Sequence, residues 1–313
     1  VNIRTKDFSW TSDLNLAFNR SKVISLETGQ NEKTFAVGGN RSGTVTYYAV
    51  VGQKLGDMYG YIYDGVYTTD DFIQDDKGNF SLREGVVVPV NSKGEAKPVQ
   101  PGDIKFAANQ TGEDGTAQFS EAHKVKIGNG TPDCIGGFNN TFTFRGFDLS
   151  VFMKFSIGND IYNATKHSMS PYGQFQNVPT EFGSNYYRLI DPVTGQKATT
   201  LARIKELNPD ESSRLWNLGS TNSSYITYPS SYYVEDGSYL RIAQVTVGYT
   251  FPKRWLQKAM ISNARIYFTA NNLATITGYS GYDPEVSAGS SDYVACTPGY
   301  DSSMYPRSRS YVI

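Results

Sequence analysis

The chain has 313 residues and a formal net charge of −1, so no chain-wide basic field draws nucleic acid, and nucleic-acid binding is not favoured. Two cysteines and two histidines are too few for a disulfide framework or a histidine-based metal cluster. No run of about eighteen apolar residues marks a membrane-crossing helix, which leaves membrane-crossing strands open.

Tyrosine supplies 23 residues and phenylalanine 17 within a hydrophobic content of 39%. The apolar material is thus concentrated in rings that suit surfaces with an oily and a wet side. The opening VNIRTKDFSW carries no methionine, basic stretch or apolar run, and reads as a mature or internal segment.

Period-two alternation, the mark of a strand with two unlike faces, recurs along the chain. It begins at about 7 to 20, where Phe8, Trp10, Leu14, Leu16 and Phe18 oppose Ser9, Thr11, Asp13, Asn15 and Asn19. A second strand is expected at about 34 to 51, then a hairpin of 134 to 144 and 147 to 162 around the tight FRGF turn. In its second arm Phe147, Leu149, Val151, Met153, Phe155 and Ile157 form a wholly apolar face, against Asp148, Ser150, Phe152, Lys154 and Ser156. The strand predicted at about 232 to 251 puts Tyr239, Arg241, Ala243, Val245, Val247, Tyr249 and Phe251 on the face read as apolar, with Gln244, Thr246 and Thr250 opposite. Strands at about 263 to 274, where Ala264, Ile266 and Phe268 share a face, and at 305 to 313 complete seven.

Long half-apolar antiparallel strands belong either to a soluble sandwich, apolar face inward, or to a membrane barrel, apolar face on lipid. The connections favour the barrel. FRGF and the compact 252 to 262 link are short, whereas 52 to 133, 163 to 231 and 276 to 304 are long, the asymmetry of periplasmic turns and extracellular loops. The expected fold is therefore all-β: an antiparallel transmembrane β-barrel section, one domain over 1 to 313, with the first strand running inward and a wet interior. Seven strands cannot close evenly, so the strands near 7 to 20 and 305 to 313 are expected as edges of an arc.

Catalysis finds no footing. Glu181, Asp191, Glu206, Asp210 and Glu211 share one long loop with nothing to fix a pair, and no nucleophile, base and orienter can be named. GGNRSG at 38 to 43 lacks phosphate-loop spacing and reads as a turn; the acidic run at 69 to 80 reads as solvated loop charge. Cys134 and Cys296 are expected unpaired. Binding by loop aromatics is the credible chemistry: Trp216 heads one cluster, with Tyr225, Tyr228, Tyr232 and Tyr233, the last two expected to pack or to form an interfacial girdle. Asn185, Tyr186, Tyr187 and Arg188 form a second patch.

Several stretches, in order, resemble one family: VGQKLGDMYGYIYDGVY (51 to 67), PGDIKF (101 to 106), GGFNNTFTFRGFDLSVFMKFSIGNDIYN (136 to 163), DGSYLRIAQVTVGYTFP (236 to 252), RIYFTANNLATIT (265 to 277) and GYDPEV (281 to 286). Together they are similar to the C-terminal third of SusC/RagA-type TonB-dependent outer-membrane transporters of Bacteroidetes. The resemblance implies the last seven or so strands of a plugged barrel of about 22. It also implies import of a large nutrient, glycan or peptide, beneath a SusD-like surface lipoprotein lid and driven by TonB through an N-terminal part not in this sequence. No cofactor is implied. The acidic calcium-like stretch that many members carry after PGDIK is here FAANQTGEDGTAQF, where Ala107 and Ala108 stand and only Asn109, Glu113 and Asp114 offer oxygens, so a solvated turn is expected. The alternative function is a soluble or surface β-rich carbohydrate-binding module or adhesin, its apolar faces packed together.

Overall fold

Seven strands hydrogen-bond into one antiparallel sheet: β1 (Ile3–Arg4), β2 (Phe8–Ala17), β3 (Cys134–Phe144), β4 (Phe147–Ile157), β5 (Tyr239–Thr250), β6 (Arg265–Thr277) and β7 (Ser310–Val312), neighbours in that order. This computed structural model describes residues 2–27, 29–39, 43–170, 179–219, 223–257, 260–286 and 296–313. Within them the edges β1 and β7 do not pair with each other. The β3–β4 hairpin closes through Arg145 at φ 44° and Gly146 at φ 92°, the pair of left-handed residues that a two-residue turn needs to match strand twist.

The register resolves two unlike faces. Trp10, Phe142, Leu149, Val247 and Phe268 lie in one cross-strand row, and Leu14, Phe138, Met153, Ile242 and Ala274 in another. On the opposite face Asp13, Asn139, Phe152, Gln244 and Asn271 lie in a row, beside Thr11, Thr141, Ser150, Thr246 and Thr269. The paired glycines of GGFNNTF have a use on each face. A Cβ at Gly136 would sit 2.4 Å from the Phe155 ring and one at Gly137 3.1 Å from the Phe152 ring, so each glycine seats an aromatic from the neighbouring strand. A polar pair interrupts the apolar face: Ser12 and Asn140 lie opposite each other, and Asn140 Oδ1 accepts from Trp10 Nε1 at 3.0 Å and from Ser12 Oγ at 2.6 Å.

Four expectations need correction. The 34 to 51 strand is a hairpin, Glu32–Gly39 and Gly43–Val50, in a separate four-stranded sheet. The first connection therefore runs from 18 to 133. Phe8 pairs with Phe144, so β2 starts at the short-turn end and runs toward the long connections, the reverse of the expected direction. The two-residue β1 that precedes it is antiparallel to it and runs the other way. The strands predicted at 147 to 162 and 232 to 251 are each divided, with Asp160–Asn163 and Val234–Asp236 pairing in a third sheet.

The fourth correction concerns β5. Gln244 lies opposite Phe152 and Ile242 opposite Met153, which leaves Ala243 as the extra residue of a bulge and exchanges the faces beyond it. Leu240 and Ile242 join Val245, Val247 and Tyr249, whereas Tyr239 and Arg241 turn to the polar side.

The hydrophobic core lies elsewhere. It is assembled from Tyr47, Met58, Phe106, Phe119, Tyr162 and Trp216 with their neighbours, all from the long connections, and includes no strand residue of the seven-stranded sheet. Leu14, Phe147 and Ile266 on the sheet's apolar face are 58%, 55% and 55% exposed. A sandwich would have covered them with a second sheet.

Candidate functional site

The connections build a unit of their own around the PGDIKF segment. Ile104–Phe106 pairs antiparallel with Tyr63–Val66, and Gly102 N–H donates to Tyr67 O at 2.7 Å. Gly102 has φ +83°, and a Cβ there would meet the Tyr187 ring at 2.4 Å. The glycine is thus required twice, by its backbone and by its neighbour. Gly102→Ala should destabilise this unit by about 2 kcal/mol, read from a chemical denaturation curve.

Tyr187 is locked in place. Its Oη donates to Glu211 Oε1 at 2.8 Å, while Glu211 Oε2 accepts from the N–H and hydroxyl of Thr69 at 3.1 and 2.9 Å. Burial first, and then the bond to that carboxylate, push the phenol well above its ordinary range. A parallel bridge joins Tyr186 to Leu215. Leu215 N–H donates to Asn185 O at 2.9 Å, and Asn185 Nδ2 donates to Ser213 O at 3.1 Å. The Arg188 guanidinium lies over the Tyr186 ring at 5.6 Å, and its backbone N–H donates to Asn208 Oδ1 at 2.7 Å.

Beside this ladder is a cavity of about 330 Å³ whose wall includes Gln100, Tyr186, Leu189, Ile190, Lys197 and Leu218. Lys197 Nζ donates to Gln100 Oε1 at 3.3 Å and forms no ion pair among the described residues. The arrangement offers an aromatic ring, aliphatic walls and one uncompensated ammonium, a set suited to binding rather than bond making.

The sequence-predicted patch Asn185, Tyr186, Tyr187 and Arg188 is thus brought together, but only Tyr186 and Tyr187 reach the cavity wall, and Tyr187 itself is buried. Trp216 requires correction: it is 1% exposed and packs edge-on against Tyr63 and Tyr232 at 6.1 and 5.3 Å. It is a core residue, enclosed by rings from two separate stretches of the connections. Tyr232 and Tyr233 pack likewise, Tyr233 stacking on His167 at 3.9 Å. Asp75 and Asp114 accept backbone N–H groups within their own turns, and Asn109 Nδ2 bonds the carbonyls of Ser120 and His123. Cys134 and Cys296 are free thiols.

A second constellation went unread in the sequence. Arg241, 2% exposed, bonds Asp283 Oδ1 at 2.5 Å. Glu285 receives Lys154 Nζ at 2.7 and 2.8 Å and Arg307 Nε at 3.1 Å. Asp283 also accepts the backbone N–H groups of Glu285 and Arg307 at 2.9 and 3.3 Å. This cluster fastens the last connection to the polar face of β4 and β5. The signal was available: an arginine in an otherwise apolar row marks either a functional charge or a bulge.

No protein-family model matches the chain. Among curated proteins it is similar to TonB-dependent receptor P3 of Formosa agariphila, 27% identical over 314 residues, covering 100% of this chain and 27% of that protein. It is also similar to TonB-dependent receptor SusC of Bacteroides thetaiotaomicron, 23% identical, covering 99% of this chain and 24% of that one. Among solved structures, the RagAB peptide transporter superposes with a TM-score of 0.63 at 19% identity, covering 99% of this chain and 27% of that chain. The chain therefore spans about a quarter of the length of the curated relatives it matches.

Proposed function

We infer, from the premise that this chain is a relative of the SusC/RagA-type TonB-dependent receptors of the outer membrane, that it forms the C-terminal section of a transporter barrel and the surface loops above it. The observation that carries this reading is the sheet's uncovered apolar face, set against a core confined to the connections. Lipid is the solvent that suits such a face, and closure with strands outside this chain suits its unpaired edges.

In this reading the short-turn end faces the periplasm and the loop unit stands outside the cell. The polar face lines the interior of a barrel of about 22 strands, which a plug domain outside this chain occupies. The role is uptake of a large nutrient, peptide or glycan, captured with a SusD-like lipoprotein lid and released inward by TonB acting on the plug. The Tyr186 and Lys197 cavity is the loop unit's candidate contact for substrate or lid. Its chemistry suits a short apolar group that carries an anion.

Val151 and Ser150 are chain neighbours near mid-strand on opposite faces, which makes them a paired test. Val151→Arg in the full-length receptor should cost about 2 to 4 kcal/mol in folded-barrel stability in lipid, and Ser150→Arg little. Denaturant titration in vesicles, followed by heat-modifiable gel mobility, measures both. Equal costs, or a greater one at Ser150, would reverse the face assignment, and a protein soluble without detergent would favour the adhesin alternative.

A further inference from the structure

Two features at the short-turn end of β5 and β6 remain without a role. The first is an apolar cavity of about 310 Å³ on the sheet, walled by Phe147, Val247, Tyr249, Ile266, Phe268 and Ile313, with no charged side chain in its wall. The second is the turn that follows β5, a short helix Lys253–Leu256. Its Leu256 is buried, while Trp255 is 55% exposed and Lys253 and Arg254 are exposed beside it. Neither cation forms an ion pair among the described residues.

Aromatic contacts join the two features. Phe147 and Tyr249 lie 4.5 Å apart, Tyr249 and Phe251 5.2 Å, and Phe251 and Trp255 6.4 Å. An apolar groove thus leads along a row of rings to an exposed indole flanked by two uncompensated cations. That is the profile of a two-part amphiphile: an acyl chain in the groove, glycerol and ester groups at the rings, and a phosphate at the cations.

We propose that this surface is a binding site for one anionic phospholipid of the periplasmic leaflet, with Lys253 and Arg254 holding the headgroup phosphate, Trp255 marking the interface and the Phe147, Tyr249 and Ile266 groove taking the first acyl chain. Charge complementarity selects the occupant. A neutral partner would leave both cations unanswered, and a soluble anion would leave the groove empty. The proposal rests on the membrane reading above and adds lipid selectivity to it.

The test uses the full-length receptor in detergent micelles, titrated with phosphatidylglycerol or phosphatidylcholine and read by native mass spectrometry. The parent should retain phosphatidylglycerol at least about tenfold more tightly, and the double variant K253Q/R254Q should lose that preference while keeping its heat-modifiable mobility. Trp255→Ala should weaken both lipids alike. Equal retention of the two lipids by the parent, an unchanged preference in the double variant, or full displacement by inorganic phosphate would overturn the proposal. A receptor that needs detergent yet has no preference overturns this site alone. One that stays soluble without detergent overturns the membrane reading itself.

Discussion

Trp216→Ala should lower the stability of the loop unit by about 3 to 5 kcal/mol, because the indole is almost wholly enclosed and its removal leaves a cavity that the surrounding rings cannot fill. Tyr63 and Tyr232 pack on it, Tyr63 belongs to the strand that pairs with the PGDIKF segment, and Lys166 Nζ lies 4.4 Å over the Tyr232 ring. Loss of the indole therefore loosens three stretches of chain at once. Near-ultraviolet circular dichroism and guanidinium unfolding of the protein would record the change, with Trp216→Phe recovering part of it. If Trp216 instead contacted a ligand, Trp216→Ala would weaken binding while leaving the unfolding midpoint where it was.

Asp283→Ala should cost a similar amount, about 3 to 5 kcal/mol, since it strands a buried guanidinium. Arg241 has Glu285 as its remaining counter-charge at 3.5 Å, and Glu285 already serves Lys154 and Arg307. The loss should appear as faster proteolysis within the 278 to 309 connection and a lower unfolding midpoint, with Asp283→Asn intermediate. Unchanged proteolysis would mean that the cluster does not anchor that connection.

The same carboxylate makes a pH test. Burial pushes the Asp283 carboxyl upward, but the hydrogen bond and charge of Arg241, with two backbone N–H groups, outweigh it and hold the group below the usual carboxylate range. A depressed folded value means the stabilisation is complete above the ordinary range, about pH 4, and is lost as pH falls through the depressed value. Asp283→Asn should flatten that part of the acid limb.

Strand parity was legible wherever a strand stays in register. The faces expected for 147 to 157 and for 264 to 271 are those the register gives. The β5 faces were not legible beyond Ala243, because a bulge is a property of two strands together and no single-strand pattern contains it. The same limit misplaced residues 34 to 51. Their alternation is sound, but the sheet they join depends on Met58 and Tyr59 opposite Tyr47 and Thr46, a pairing that local sequence does not encode. Trp216 was misread for another reason. Dense aromatics suit a core and a sugar platform equally, and only burial separates them. Tyr186 and Tyr187 stand together because they adjoin in sequence, while Gln100 and Lys197, distant in sequence, carried no signal for the cavity wall they share.

A core that excludes the large sheet makes this chain answer to two solvents. The loop unit is held by water's expulsion of its rings, so urea should attack it much as it attacks a small soluble domain. The sheet takes its order from whatever coats its apolar side. Changing detergent or acyl length should therefore shift hydrogen exchange in β2 to β6 while leaving the amides around Tyr47, Phe106 and Trp216 unmoved. Unfolding would then proceed in two separable steps, and which comes first would be set by the bath rather than by the chain.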